Sequence, residues 1–187
     1  MGNAGSALFF ARFDEGCLML RDATPADFSA ILALNRAFVA VLSPLDDELL
    51  AQLHAQAALH RVIEQDGRVL AFLLVFREGA DYEGANYRWF AQRYARFLYV
   101  DRIVVAGGGQ AQGAGSRLYR DVFALASVDA VPFITCEFDI DPPNPASARF
   151  HATQGFHEVG QRQLDGGKTV SMQVLDVAAA NNKGDGG

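Results

Sequence analysis

Hydrophobic residues recur along this chain in two rhythms, and the change from one to the other marks strands and helices. Residues 70–76 are apolar without a break, as in a central strand covered on both faces. Asp66-Gly67 separates that run from residues 61–65 and predicts a two-residue hairpin turn. Residues 97–105 alternate, so Tyr99, Asp101, Ile103 and Val105 are expected on one face and Leu98, Val100, Arg102 and Val104 on the other. In residues 131–140 the same rhythm sets Thr135, Glu137 and Asp139 against Cys136 and Phe138. Further strands are expected at 17–21, 156–163 and 169–177, the last two pairing around Asp165-Gly166-Gly167.

Helical spacing takes over elsewhere. Thr24-Pro25-Ala26-Asp27 supplies a capping hydroxyl, a first-turn proline and an acid three residues past the cap, and Phe28, Ile31, Leu32, Asn35 and Phe38 follow on one face. Ser43-Pro44-Leu45-Asp46 repeats the start signal before a helix with Leu49, Leu50 and Leu53 inward. Leu118, Val122 and Leu125 form a stripe on a third helix, and Asn144-Pro145 opens a fourth that Gly155 ends. Residues 78–96 mix Tyr82, Tyr87, Trp89, Phe90 and Tyr94 with Arg88, Arg93 and Arg96. Two readings stand for this stretch: a pocket wall or lid, and a short helix packing its rings on the body. The body is a single domain over 17–177, with an extension at 1–16 and a small, polar, flexible tail expected at 178–187.

Composition narrows the partners. Half of the 187 residues are hydrophobic and 20% are charged, as in a packed globular domain. A formal net charge of −6 argues against nucleic acid, which needs clustered Lys and Arg, and is compatible with an amine-bearing ligand. No apolar run approaches a membrane span, and Cys17 and Cys136 form no CxxC pair, so no membrane association and a reduced cytoplasmic setting are expected. The four histidines are scattered without metal-ligand spacing, and no metal site is expected.

The chemistry concentrates after the strand at 97–105, in Gln110-Ala111-Gln112-Gly113-Ala114-Gly115. A strand, a glycine-rich turn and a helix in that order make an anion site, because the first N–H groups of a helix lack partners and its dipole favours negative charge. No Lys-Ser/Thr follows the glycines, which disfavours a P-loop, and Gly113-Ala114-Gly115-Ser116-Arg117-Leu118 lacks the third glycine of a dinucleotide fingerprint. Asp101 is an unusual mid-strand carboxylate, open to reading as an ion pair or as a working group.

Two motifs about 30 residues apart then resemble those of the GNAT superfamily of acyl-CoA-dependent N-acyltransferases. Gln110, Gly113 and Gly115 match its Q/R-x-x-G-x-G/A signature, and the run from Asn144 to Gly155-Phe156 matches its asparagine-led helix ending in Gly-Phe. The resemblance implies an α/β fold: a mixed, mostly antiparallel sheet of about seven strands flanked by four helices. It implies acetyl-CoA as donor, coenzyme A as product, and direct transfer to a primary amine of a small molecule or peptide by a monomer or homodimer. Backbone N–H groups of Gln112, Gly113, Ala114, Gly115 and Ser116 would cradle the pyrophosphate beside Gln110. Ile103, Val104 and Val105 would pair with the pantetheine arm, the strand at 131–140 would splay away from them, and Asn144 and Ser147 would also contact the cofactor. Asp101 is the first candidate base and Glu137 the second. Where many members carry a tyrosine acid, this chain has His151, which the resemblance places as acid or thiol contact, with a structural role as the other reading. The alternative is a non-catalytic acyl-CoA-binding module on the same fold.

Overall fold

The computed structural model describes residues 18–38, 42–107 and 112–184. Its strands are β1 (Met19–Asp22), β2 (Leu59–Gln65), β3 (Arg68–Arg77), β4 (Leu98–Val105), β5 (Phe133–Asp141), β6 (His157–Gln163) and β7 (Thr169–Asp176). They form one seven-stranded sheet in the order β1-β2-β3-β4-β5-β7-β6. Every neighbouring pair is antiparallel except β4 and β5. Six α-helices occur among the described residues, where four were expected: α1 (Phe28–Ala37), α2 (Asp47–Gln56), α3 (Ala85–Ala91), α4 (Ala114–Val128), α5 (Pro145–Gln154) and α6 (Val177–Gly184).

The sheet is sandwiched between two apolar layers, and β3 serves both. Its Ala71, Leu73 and Val75 meet Leu118, Tyr119 and Val122 of α4 on one side. Phe72, Leu74 and Phe76 meet Ile31 and Leu32 of α1, Leu50 and Leu53 of α2, and Tyr87 and Phe90 of α3 on the other. All six of those β3 side chains are fully buried, which is why the run has no polar member. The β2–β3 turn places Asp66 and Gly67 at φ 51° and 75°, the positive-φ pair that a two-residue hairpin requires.

Local signals decide most boundaries. The Asp27 carboxylate accepts from the Thr24 backbone N–H at 2.8 Å and from its hydroxyl at 3.0 Å, which fastens a 3-10 turn ahead of α1. The second start signal resolves three residues later than Ser43, where the sequence opens it. Asp46 caps α2 by accepting from Leu49 N–H at 2.8 Å, and Leu49 is then 37% exposed rather than inward. The expected tail begins as α6 instead. Asp176 accepts from the N–H groups of Ala178 and Ala179, an alanine run follows, and Ala180 packs against the core.

One irregularity changes the reading of β4. Leu74 pairs with Arg102 and Val75 with Val100, so Asp101 is an extra residue on β4, a β-bulge. Past the bulge the alternation shifts by one. Ile103 and Val105 join Leu98 and Val100 on the α4 side, while Tyr99 and Val104 lie on the α1 side, where Asp101 and Arg102 both find their partners. The expectation that Asp101 shares a face with Ile103 and Val105 is therefore corrected: simple alternation cannot foresee an inserted residue.

Candidate active site

The parallel pair at the centre of the sheet is the shortest in register. β4 and β5 pair only at Leu98–Ile134 and Tyr99–Thr135. Beyond those positions β4 keeps β3 on one side and, among the described residues, has no paired strand on the other. A cleft between two parallel strands is thus built into the middle of the sheet, as the expected splay required.

At the far end of β4 the chain enters α4. Gly113 is its N-cap at φ 70°, ψ 25°, no side chain caps the helix, and the first intrahelical bond runs from Arg117 N–H to the Gly113 carbonyl at 3.1 Å. The two glycines have different reasons to be glycine. A Cβ on Gly113 would meet nothing within 4 Å, so its need is the left-handed backbone. A Cβ on Gly115 would stand 3.1 Å from the Phe150 ring, so its need is the close approach of α5 to α4. Gln110 lies outside the described residues. Gly113, Ala114, Gly115 and Ser116 form an uncapped helix start, which suits a pyrophosphate, and Gln112 is exposed just before it.

α5 begins where Asn144 Oδ1 accepts from Ser147 N–H at 3.1 Å. One turn on, His151 is 3% exposed. Its Nδ1 is 2.9 Å from the Ser147 carbonyl oxygen and its Nε2 is 2.9 Å from the Tyr119 hydroxyl. A carbonyl can only accept, so Nδ1 carries the proton and Nε2 accepts from Tyr119. The ring stacks on Phe138 at 5.6 Å and meets Phe150 and Phe156 edge-on. Burial pushes its pKa below the ordinary histidine value, which keeps the imidazole neutral at pH 7. Tyr119 is fully buried beside Cys136, whose thiol pKa burial pushes up.

On the opposite face of the sheet a cavity of about 230 Å³ opens against β4 and β5, lined by Tyr82, Asn86, Tyr99, Asp101, Arg102 and Glu137 among others. The two candidate carboxylates both stand here, and their surroundings set them apart. Asp101 has both oxygens engaged: Tyr82 OH donates to Oδ1 and Arg102 Nε to Oδ2 at 3.2 Å. Arg102 is 7% exposed and also donates to Asn35 Oδ1 at 2.7 Å and to the Ser43 carbonyl at 2.8 Å. Glu137 has only one oxygen engaged. Asn86 Nδ2 and Tyr99 OH both donate to Oε1 at 2.9 Å, while Oε2 is buried with no partner. Burial, reinforced by the Asp101 charge and opposed by its two hydrogen bonds and the nearby Arg162, raises the Glu137 pKa to about 7.

The aromatic segment at 78–96 fulfils both of its readings in different residues. Phe90 and Tyr87 are core, and Tyr87 OH donates to the Arg77 carbonyl at 2.8 Å. Tyr82 and Asn86 are cavity wall. Sequence spacing has no signal for Asn86 or for the role of Tyr99, since both meet Glu137 only across long stretches of chain.

Residues 28–156 match the model of the acetyltransferase (GNAT) family, and the chain belongs to that family. Solved structures with the same fold include Ard1 from Thermoplasma volcanium, at TM-score 0.70 and 15% identity over 85% of this chain and 97% of that one. The structure of yncA from Salmonella typhimurium with its cofactor acetyl-CoA matches at TM-score 0.65 and 19% identity, covering 86% and 94%. The ribosomal-protein-S18-alanine N-acetyltransferase from Escherichia coli matches at TM-score 0.64 and 16% identity, also covering 86% and 94%. At these identities the likeness is one of fold. No sequence among the curated proteins matches the chain.

Proposed function

We propose that the protein is an N-acetyltransferase that moves the acetyl group of acetyl-CoA to a primary amine directly, within a ternary complex, with Glu137 as the base. The observation that carries this reading is the buried, unpartnered Oε2 of Glu137, in a cavity against the strands that part. Acetyl-CoA would supply the activated acetyl thioester. The uncapped start of α4, from Gln112 to Ser116, suits its diphosphate, and Ile103, Val104 and Val105 of β4 suit its pantetheine arm. Asn144 and Ser147 would stand near it as the capped start of α5.

An amine with a pKa near 10 is mostly protonated at neutral pH, so the acceptor must lose a proton before it attacks. A carboxylate with a pKa of about 7 is a stronger base than an ordinary glutamate. Asn86 and Tyr99 occupy Oε1, which leaves Oε2 as the atom that takes the proton. Asp101, the other candidate base, has no oxygen without a partner and takes a supporting part, holding Arg102 and raising the pKa of Glu137. His151 enters the proposal as a neutral imidazole, rather than as a histidinium, that orients the Tyr119 hydroxyl by accepting from it. The proton that the acceptor nitrogen gives to Glu137 balances the one that the leaving coenzyme A thiolate takes up.

Two measurements test the reading. Coenzyme A or acetyl-CoA at about 100 times its Kd should stabilise the protein by about 2.7 kcal/mol, a rise in Tm of roughly 5–10 °C for a chain of this size. An unmoved Tm at millimolar ligand would remove the cofactor assignment. His151→Ala is expected to lower kcat by about tenfold to a hundredfold with a smaller change in cofactor affinity. Weaker binding at an unchanged rate would make His151 a contact only.

A further inference from the structure

The charged residues that line the cavity are Asp101, Arg102 and Glu137, and Arg162 reaches its wall from β6 through Asn86. Asp101 is paired with Arg102 at 3.2 Å, and Asp139, next along the same face of β5, is paired with Lys168 at 3.0 Å. What remains is Glu137 and, on β6, the half-buried Arg162, which has no ion-pair partner among the described residues. One carboxamide stands between them: Asn86 Nδ2 donates to Glu137 Oε1 at 2.9 Å, and Arg162 Nη1 donates to Asn86 Oδ1. The arrangement fixes the amide's orientation, because a guanidinium can only donate. It holds the acid and the cation, neither of them in an ion pair among the described residues, roughly 6–8 Å apart, two hydrogen bonds and one amide group.

We infer that the acceptor is a small free amino acid, its amine directed to Glu137 and its carboxylate to Arg162. This rests on the acetyl-transfer reading above and specifies its substrate. One unpaired acid and one unpaired cation complement a ligand with one amine and one carboxylate a few bonds apart. A polyamine would need a second unpaired carboxylate and would meet the Arg162 charge instead. A peptide N-terminus has a neutral amide where the amino acid has its carboxylate, and forfeits the charge-assisted bond. A cavity of about 230 Å³ is below the range of roughly 300–1,000 Å³ typical of sites for drug-sized ligands, in keeping with a small acceptor.

The test is a panel of the free amino acids, each beside its methyl ester and, for the preferred one, a dipeptide that begins with it, with acetyl-CoA consumption as readout. The wild type should favour the preferred amino acid over its ester by about tenfold or more in kcat/KM. Arg162→Gln should raise KM for the amino acid and bring the ratio of acid to ester close to one, and Arg162→Lys should recover part of it. Equal rates on acid and ester in the wild type, or a preference that survives Arg162→Gln, would overturn the inference and leave the transferase reading standing. A dipeptide used better than the free amino acid would overturn it in favour of a polypeptide acceptor. Transfer to no amine, in protein whose Tm still rises with acetyl-CoA, would sink the transferase reading and this inference with it.

Discussion

Glu137→Gln is expected to lower kcat by about 10²–10⁴-fold, the usual contribution of a positioned base. The substitution keeps the shape and the Oε1 contacts to Asn86 and Tyr99 but removes the proton acceptor. In the wild type, kcat/KM should rise with pH through about 7 as Glu137 ionises, and that limb should vanish in the variant. Stability moves the other way. The folded-state pKa of Glu137 is raised from 4.5 to about 7, so between those values the native protein holds more of the proton than the unfolded chain. Its contribution to stability therefore falls as pH rises through that window, and above pH 7 Glu137→Gln should be at least as stable as the wild type. A variant that loses activity and also melts early would point to a structural role for this carboxylate.

Asp101→Asn should give the opposite pattern. The change leaves the Arg102 guanidinium, 7% exposed, with neutral partners alone, Asn35 and the Ser43 carbonyl among them. Stranding one member of a buried ion pair costs about 3 kcal/mol or more, which for a chain of this length lowers Tm by roughly 6–12 °C. Thermal unfolding of the two variants side by side is expected to separate a carboxylate that reacts from one that holds. An unchanged Tm for Asp101→Asn, combined with a loss of rate as deep as that of Glu137→Gln, would exchange their roles.

The features legible in the sequence are those whose causes are local. The Asp66-Gly67 turn, the unbroken apolar run of β3, the proline-led start of α5 and the glycine-rich entry to α4 each follow from backbone preference or side-chain period within about ten residues. Two motifs on either side of one strand were enough to place the family. The C-terminal helix was missed because its cap, Asp176, is the last residue of a strand and its body is a short alanine run that reads as a tail.

The site itself depended on contacts between distant residues. From its own sequence the chain determined the order of the strands and of four helices, the glycine-rich turn, the histidine in the tyrosine position and a short roster of candidate carboxylates. Only the tertiary structure gave those carboxylates different surroundings. The Asp101 bulge is a mismatch in register with β3, so it has no signature in β4 alone. The neutrality of His151 comes from Phe138, Tyr119 and Phe156, which converge on it from β5, α4 and the chain after α5. The basicity of Glu137 comes from burial, and its free oxygen from an asparagine and a tyrosine 51 and 38 residues away along the chain. A pKa and an unfilled hydrogen bond are properties of an environment, and the environment exists only once the strands have paired and then parted.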